Sequence, residues 1–239
     1  VGYKLLWEDR FDRDGVPDPA IWNWATGGTG FGNNESQFYT DRSENAYVRD
    51  GVLTIVARKE PWENRQYTSA KLTTAGKKSI GFGRVEVEAQ LPSGAGTWPA
   101  IWFLGENIRQ VGWPRCGEID LMEHVGKRPD YVHFSLHCHS YNFHLDNHRT
   151  HVEYQPGVRD GFHNYAMERD ENHIAFFLDH RQVAVFEKKP GDTPDEWPFD
   201  QPFYLILNLA IGGHWGGSID DTIFPVSIRF RSVRVFERG

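Results

Sequence analysis

The chain has 239 residues and only two cysteines, Cys116 and Cys138. Two thiols cannot supply the multi-bridge framework that staples small secreted scaffolds. Stability must therefore come from a packed core, and the length suffices for one. The cysteines do not decide the compartment. No apolar run approaches the ~18 residues a membrane helix requires. Basic residues are also in deficit: 26 Lys and Arg stand against 33 Asp and Glu, a net charge of −7. Without a positive footprint the chain is not expected to bind nucleic acid, nor to be drawn to an anionic membrane surface. Repeats, low-complexity tracts and linker-like breaks are missing too, so one domain over residues 1–239 is the simplest reading. The start Val1-Gly2-Tyr3-Lys4 carries no charged-then-apolar leader. It reads as a mature form, an excised domain or a cytosolic protein.

Aromatic residues, in contrast, are plentiful: 9 Trp, 9 Tyr and 16 Phe, or 14%. Such a surplus fits a large aromatic core or a surface that holds ligands on flat rings. Helical periodicity is scarce, and short β-type segments separated by Gly or polar joints are abundant. The expected strands are 53–58, 67–73, 83–91, 98–104, 118–125, 131–139, 163–168, 173–178, 182–187, 203–211 and 226–237. This pattern predicts an all-β antiparallel sandwich or jelly roll, with a closed barrel as the alternative. Within 83–91, Val85, Val87 and Ala89 alternate with Arg84, Glu86, Glu88 and Gln90. Within 131–139, Val132, Phe134 and Leu136 alternate with His133, Ser135, His137 and His139. Such strands bury one face and offer the other to water or to a ligand cleft.

The densest chemistry lies in Glu118-Ile119-Asp120-Leu121-Met122-Glu123. A regular strand puts Glu118 and Asp120 on one face and Glu123 on the other. One extra residue, a β-bulge, would bring all three together. A helix would leave Glu118 and Glu123 about 140° apart. Grouped carboxyls can divide the roles of ionised nucleophile and protonated acid, as in retaining glycosidases. They could equally be a solvated acidic edge, or a metal site shared with His124, His133 or His137. Trp98 and Trp102 share a strand face, Trp113 precedes the acids, and Trp215 sits between glycines. Indole faces suit the C–H faces of pyranose sugars, although any one of them could be core.

Glu118-Ile119-Asp120-Leu121-Met122-Glu123 matches the E-x-D-x-x-E signature of glycoside hydrolase family 16. Trp113-Pro114-Arg115-Cys116-Gly117 before it and His124-Val125-Gly126 after it resemble the laminarinase branch, the endo-β-1,3-glucanases. So do residues 32–40, 96–102, 197–203 and 208–213, and Phe224-Pro225, in the same order. The resemblance implies a β-jelly roll of two antiparallel sheets with a concave cleft, and a β-glucan substrate. It makes Glu118 the nucleophile, Asp120 its helper and Glu123 the general acid/base. Asn34, Trp98, Trp102 and Trp113 resemble glucose-contacting positions, with Glu35, His137 and Trp215 as weaker candidates. A hairpin around 127–130 would set His137 opposite the acids. No cofactor and no catalytic metal are implied, and a secreted monomer is expected. Met122, the extra residue relative to the E-x-D-x-E of the lichenase branch, favours β-1,3-glucan, with mixed-linkage glucan as a further substrate. The alternatives are a non-catalytic β-glucan-binding module, which would have lost the acids, and a relative acting on a galactan such as agar. A metal-dependent hydrolase is a more distant one.

Four positions depart from the family pattern. Lys71 replaces an Arg and cannot offer its planar fork. Arg169 stands where a Trp is usual, and His214 replaces an Asn before Trp215. Arg231 falls where many members carry an Asp that helps bind a structural calcium. A cation there would repel calcium, and Arg231 is expected to pair with Glu8 or Asp9. Strand parity sends Cys116 toward the cleft and Cys138 into the core, which predicts two free thiols.

Overall fold

The computed structural model describes residues 2–239. In chain order the strands are β1 (Tyr3–Asp9), β2 (Asn23–Trp24), β3 (Gln37–Tyr39), β4 (Ala46–Arg49), β5 (Val52–Trp62) and β6 (Arg65–Ser69). There follow β7 (Lys71–Thr73), β8 (Gly83–Gln90), β9 (Thr97–Gly105), β10 (Glu118–Glu123), β11 (Tyr131–His137) and β12 (Arg149–Tyr154). The last five are β13 (His163–Arg169), β14 (His173–Leu178), β15 (Arg181–Glu187), β16 (Phe203–Ile211) and β17 (Val226–Arg238). Helix is confined to short turns such as α1 (Ile108–Val111) and α2 (Gly213–Gly216).

Two sheets form the expected jelly-roll sandwich. One runs β15-β14-β13-β8-β17-β5-β6-β3, with β1 added on β17 and β4 on β5. The other, the site sheet, runs β12-β11-β10-β9-β16-β7-β2. All pairings are antiparallel except β3 with β6. The alternation read from β8 holds: Val85, Val87 and Ala89 are buried. They meet Ile101, Phe103, Ile119, Leu121, Phe134, Leu205, Leu207 and Phe230 in one continuous core. Burying each large side chain of this kind stabilises the fold by about 1.5–3 kcal/mol.

Several expectations need correction. The segment 67–73 is not one strand: β6 belongs to one sheet and β7 to the other. Ala70, fully buried between them, carries the chain across. Strands β1 to β4 and β12 lay outside the sequence reading; β2 and β3 are too short for a period to emerge. Arg231 pairs with neither Glu8 nor Asp9. The register of β17 against β8 shifts between Phe230 and Ser232, which leaves Arg231 beside Glu88 at 3.2 Å and over the Phe162 ring at 3.9 Å. Glu8 is instead held by Arg10 at 3.0 Å and Arg234 at 3.4 Å. Asp9 accepts from the Trp22 indole at 2.8 Å. With guanidinium groups against Glu8 and Glu88, and Arg231 at the position of the usual Asp, these residues do not fit a calcium ion.

Arg169 is buried at the end of β13. Its guanidinium donates to the carbonyls of Phe199, Gln201, Ile80 and Gly81 at 2.5–2.8 Å. Burial pulls its pKa down to about 10. Both cysteines are free and buried. Cys138 lies in the main core. Cys116 packs on the other side of the site sheet with Leu104, Ile206, Trp102 and Trp113. The two thiols thus lie on the faces that parity assigned them.

Candidate functional site

The acids sit on β10, the third strand from one edge of the site sheet. Against β11, Asp120 faces Ser135 and Glu123 faces His133, so Leu121 and Met122 together oppose Phe134. This is the bulge that parity required. Against β9 the unpaired residue is Leu121, since Met122 faces Ile101; the extra position in the motif is Met122, but the gap in the ladder falls one residue earlier. Leu121 and Met122 both enter the core. Their burial holds the bulge in place and turns Glu118, Asp120 and Glu123 to the opposite face.

Each outer acid receives an indole donor. Trp113 Nε1 donates to Glu118 Oε2 at 2.7 Å, and Trp98 Nε1 to Glu123 Oε1 at 3.1 Å. The hairpin does set His137 across from Glu118. His137 Nε2 lies 3.2 Å from Asp120 Oδ2 and 4.0 Å from Glu118 Oε1. Burial is the main cause that pushes Glu118 up to about 8, with the Asp120 charge adding to it and His137 and Trp113 opposing. Glu123 is pushed up to about 7, again chiefly by burial and then by Glu118, against His137 and Trp98. Asp120 is raised well above the ordinary carboxylate range by burial and by Glu123. Like charges this close in a dry site cannot all ionise, so at neutral pH the three acids hold at least one proton among them.

Around the acids the aromatic residues are arranged by strand and loop. Trp98 and Trp102 stand on the same face of β9, as parity predicted, and both are half-buried. Trp215, in α2, meets the edge of Trp98 at 5.5 Å and of His133 at 4.7 Å. Gly213, which opens α2, has φ 72°, and a Cβ there would come within 2.9 Å of the Asn33 carbonyl. That approach lets His214 N–H donate to the same carbonyl at 2.8 Å. The His214 side chain itself is exposed.

Glu35 is buried and accepts from Asn33 Nδ2 at 3.0 Å, Gln37 Nε2 at 2.9 Å and Tyr39 Oη at 3.3 Å. Tyr39 Oη in turn accepts from Asn208 Nδ2 at 2.9 Å, and Asn208 Oδ1 accepts from Trp102 Nε1 at 2.7 Å. Glu35 therefore acts through a buried relay that fixes the Trp102 ring. Asn34 is exposed with φ 55°, at the tip of the neighbouring loop. Lys71 lies 5.0 Å from both the Phe31 and Trp102 rings. Burial lowers its pKa, while the charges of Glu35 and Glu118 hold it up.

Sequence reasoning did not single out Tyr39, Asn208 or His148. Asn208 carried a signal: it is a lone amide in the apolar run of β16. His148 carried none, because its stack on His137, at 4.8 Å and 11°, forms only when the connection between β11 and β12 folds back on the end of β11. Of the three histidines considered as metal ligands, only His137 joins the acids; its ligand atom and those of Glu118 and Asp120 lie within 4.8 Å of one another. His124 turns away to the Pro129 carbonyl at 3.1 Å, and His133 lies under Trp215.

Residues 33–223 match the family described as glycosyl hydrolases family 16. A β-glucanase from Rhodothermus marinus is 46% identical over 98% of this chain and 85% of its own length. The crystal structure of the laminarinase from the same organism superposes with a TM-score of 0.96, covering 99% of this chain and 98% of that one. A glucan endo-1,3-β-glucosidase from Niallia circulans is 32% identical over 99% of this chain, which spans only 38% of that relative. A non-specific endo-β-1,3(4)-glucanase, crystallised with a glucan oligosaccharide at its active site, is 36% identical with a TM-score of 0.95 over 99% of this chain and 95% of that one. Motif, bulge, sheet order and these likenesses agree, and the chain belongs to glycosyl hydrolases family 16.

Proposed function

We propose that the protein is a retaining endo-β-1,3-glucanase, secreted and monomeric, that cleaves laminarin-type glucans through a covalent glycosyl-enzyme. Glycoside hydrolysis of the laminarinase kind follows from family membership and from the 46% identical Rhodothermus relative. The finer reading rests on one observation. The bulge of β10 turns three carboxyls to one face, where Glu118 and Glu123 each receive an indole N–H.

Glu118 is the nucleophile. The Trp113 donor and the nearby His137 favour its ionised form and aim one oxygen. Glu123 gives a proton to the glycosidic oxygen as Glu118 attacks C1; burial raises both acids, Glu118 to about 8 and Glu123 to about 7, so this division of roles follows the family motif and not the order of the two values. Glu123 then takes a proton from the water that releases the sugar. Asp120, buried beside Glu118, holds the shared proton while the nucleophile carries charge. The indoles of Trp98, Trp102, Trp113 and Trp215 offer apolar faces to the sugar rings, and Asn34 and His137 offer polar groups to its hydroxyls. Mixed-linkage β-1,3-1,4-glucan is a second substrate of the same cleft. Residues 1–239 act as one catalytic unit.

Product analysis on laminarin, lichenan and agarose tests this reading. Laminarin is cleaved internally, lichenan to a lesser degree and agarose not at all. Glu118→Ser lowers kcat by at least about a thousandfold, the scale of losing a covalent nucleophile. Full activity in that variant would remove Glu118 from its role, and agarose cleavage would redirect the substrate to a galactan.

A further inference from the structure

His137 lies between the acids and the connection that joins β11 to β12, residues 138–148. Its Nε2 faces Asp120 at 3.2 Å and Glu118 at 4.0 Å. Its other ring nitrogen, Nδ1, is buried and meets no protein donor or acceptor among the described residues. A histidine that serves a site is ordinarily oriented by a hydrogen bond at its second nitrogen. Here no protein group supplies one, so packing must hold the ring.

That packing comes from the connection, which two amides staple back onto the end of β11. Asn142, itself buried, donates through Nδ2 to the carbonyls of Cys138 and His139, both at 3.1 Å, and accepts from His144 N–H at 3.1 Å. Asn147 accepts from Asn142 N–H and donates to the Ser140 carbonyl, both at 3.0 Å. Asp146, in the left-handed region with φ 54°, turns the chain between them. His148 is thereby delivered to one face of His137, with the rings 4.8 Å apart and 11° from parallel. Phe143 meets the same ring edge-on at 6.0 Å, and Trp113 lies farther off at 6.4 Å. Burial and the charge of His137 lower the pKa of His148, against Asp146. A neutral imidazole can lie over His137 without opposing a charge there. Residues 143–147 are exposed and His148 is half-buried, so the stack is not part of the core.

Resting on the glucanase reading above, we propose that His148 is a positioning residue for the nucleophile: it acts through His137, whose ring it clamps against Asp120 and Glu118. The acids that His137 faces stand at the nucleophile end of the row, so the effect falls on attack at C1. Without the stack, His137 turns about its side-chain bonds and spends less time beside Asp120 and Glu118. Loose positioning of this kind slows a reaction even when every reacting group is present. The β11–β12 connection thus braces both partners of Glu118, His137 through His148 and Trp113 through Phe143, whose rings lie 5.2 Å apart.

Kinetics on laminarin and on 2,4-dinitrophenyl β-laminaribioside, in single and double variants, test this. Dinitrophenolate leaves without a proton, so kcat/KM on that substrate reads attack by Glu118 with no help from Glu123. His148→Ala lowers kcat/KM about three- to tenfold on both substrates, the scale of one lost aromatic pair. His148→Phe recovers most of the loss, because the ring and not its nitrogens makes the stack. In a His137→Ala background His148→Ala has no further effect, since the residue it acts through is gone. A loss on laminarin alone would overturn the proposal and make His148 a partner of Glu123 or of the more distant sugars. Losses that add in the double variant, or a Phe variant as slow as the Ala variant, would overturn it as well. Wild-type protein inactive on both substrates would fail the glucanase reading itself, and the proposal with it.

Discussion

Glu123 is the residue in which chemistry and stability pull against each other. Its folded pKa, about 7, lies above the ordinary value of 4.5. Between those values the unfolded chain has lost the proton that the folded chain keeps. Stability is therefore greatest below pH 4.5 as far as this group is concerned, and falls as pH rises toward 7. Glu123→Gln removes that loss. Thermal melts should show the variant gaining a few degrees over wild type at pH 8 and much less at pH 4. A gain that is equal at both pH values would mean that Glu123 is not a buried acid. The same residues show how far single positions could be read in advance. The three acids were legible because they crowd into one apolar strand at a spacing with a physical meaning, and the indoles because they flank that strand in sequence or share one strand face. Glu35 was legible as a residue, but its work was not: the relay through Tyr39 and Asn208 to Trp102 joins three strands far apart in sequence.

At the scale of elements, parity was the productive argument. It required a bulge in β10, grouped Trp98 with Trp102, and separated Cys116 from Cys138. It could not see where a strand changes sheet, as at Ala70, because both halves of 67–73 look equally strand-like. Nor could it see that a bulge in β17 would deliver Arg231 to Glu88. Arg169 belongs at this scale. Four carbonyls from two segments, 80–81 and 199–201, converge on its guanidinium. A Trp, usual at this position, could offer one N–H; the Arg ties both segments to the end of β13. Arg169→Met leaves those acceptors without a partner and should lower stability by about 2–4 kcal/mol, a fall in Tm of roughly 5–15 °C. Arg169→Lys should fall between, since an ammonium lacks the planar fork. Calorimetry decides it, and a Met variant as stable as wild type would show that the tie contributes nothing.

Over the whole molecule, a sandwich of two sheets buries the apolar faces between them and leaves one face of the site sheet for chemistry. The aromatic surplus divides along that line. Phe103, Phe134, Phe176 and Phe230 fill the core, while Trp98, Trp102, Trp113 and Trp215 surround the acids. The grouping of Glu118, Asp120 and His137 resembles a metal site in outline. In the proposed mechanism carboxyls alone do the work, so dialysis against EDTA should leave laminarin hydrolysis unchanged; loss of activity restored by added zinc would revive a metal-dependent mechanism. The two-carboxylate mechanism has its own signature in the product. Proton NMR recorded as laminarin is cleaved sees the new reducing end before it mutarotates. The β-anomer signal should rise first and the α-anomer follow, because attack by Glu118 and then by water inverts C1 twice. An α-anomer appearing first would mean a single displacement, and Glu118 could not be the nucleophile.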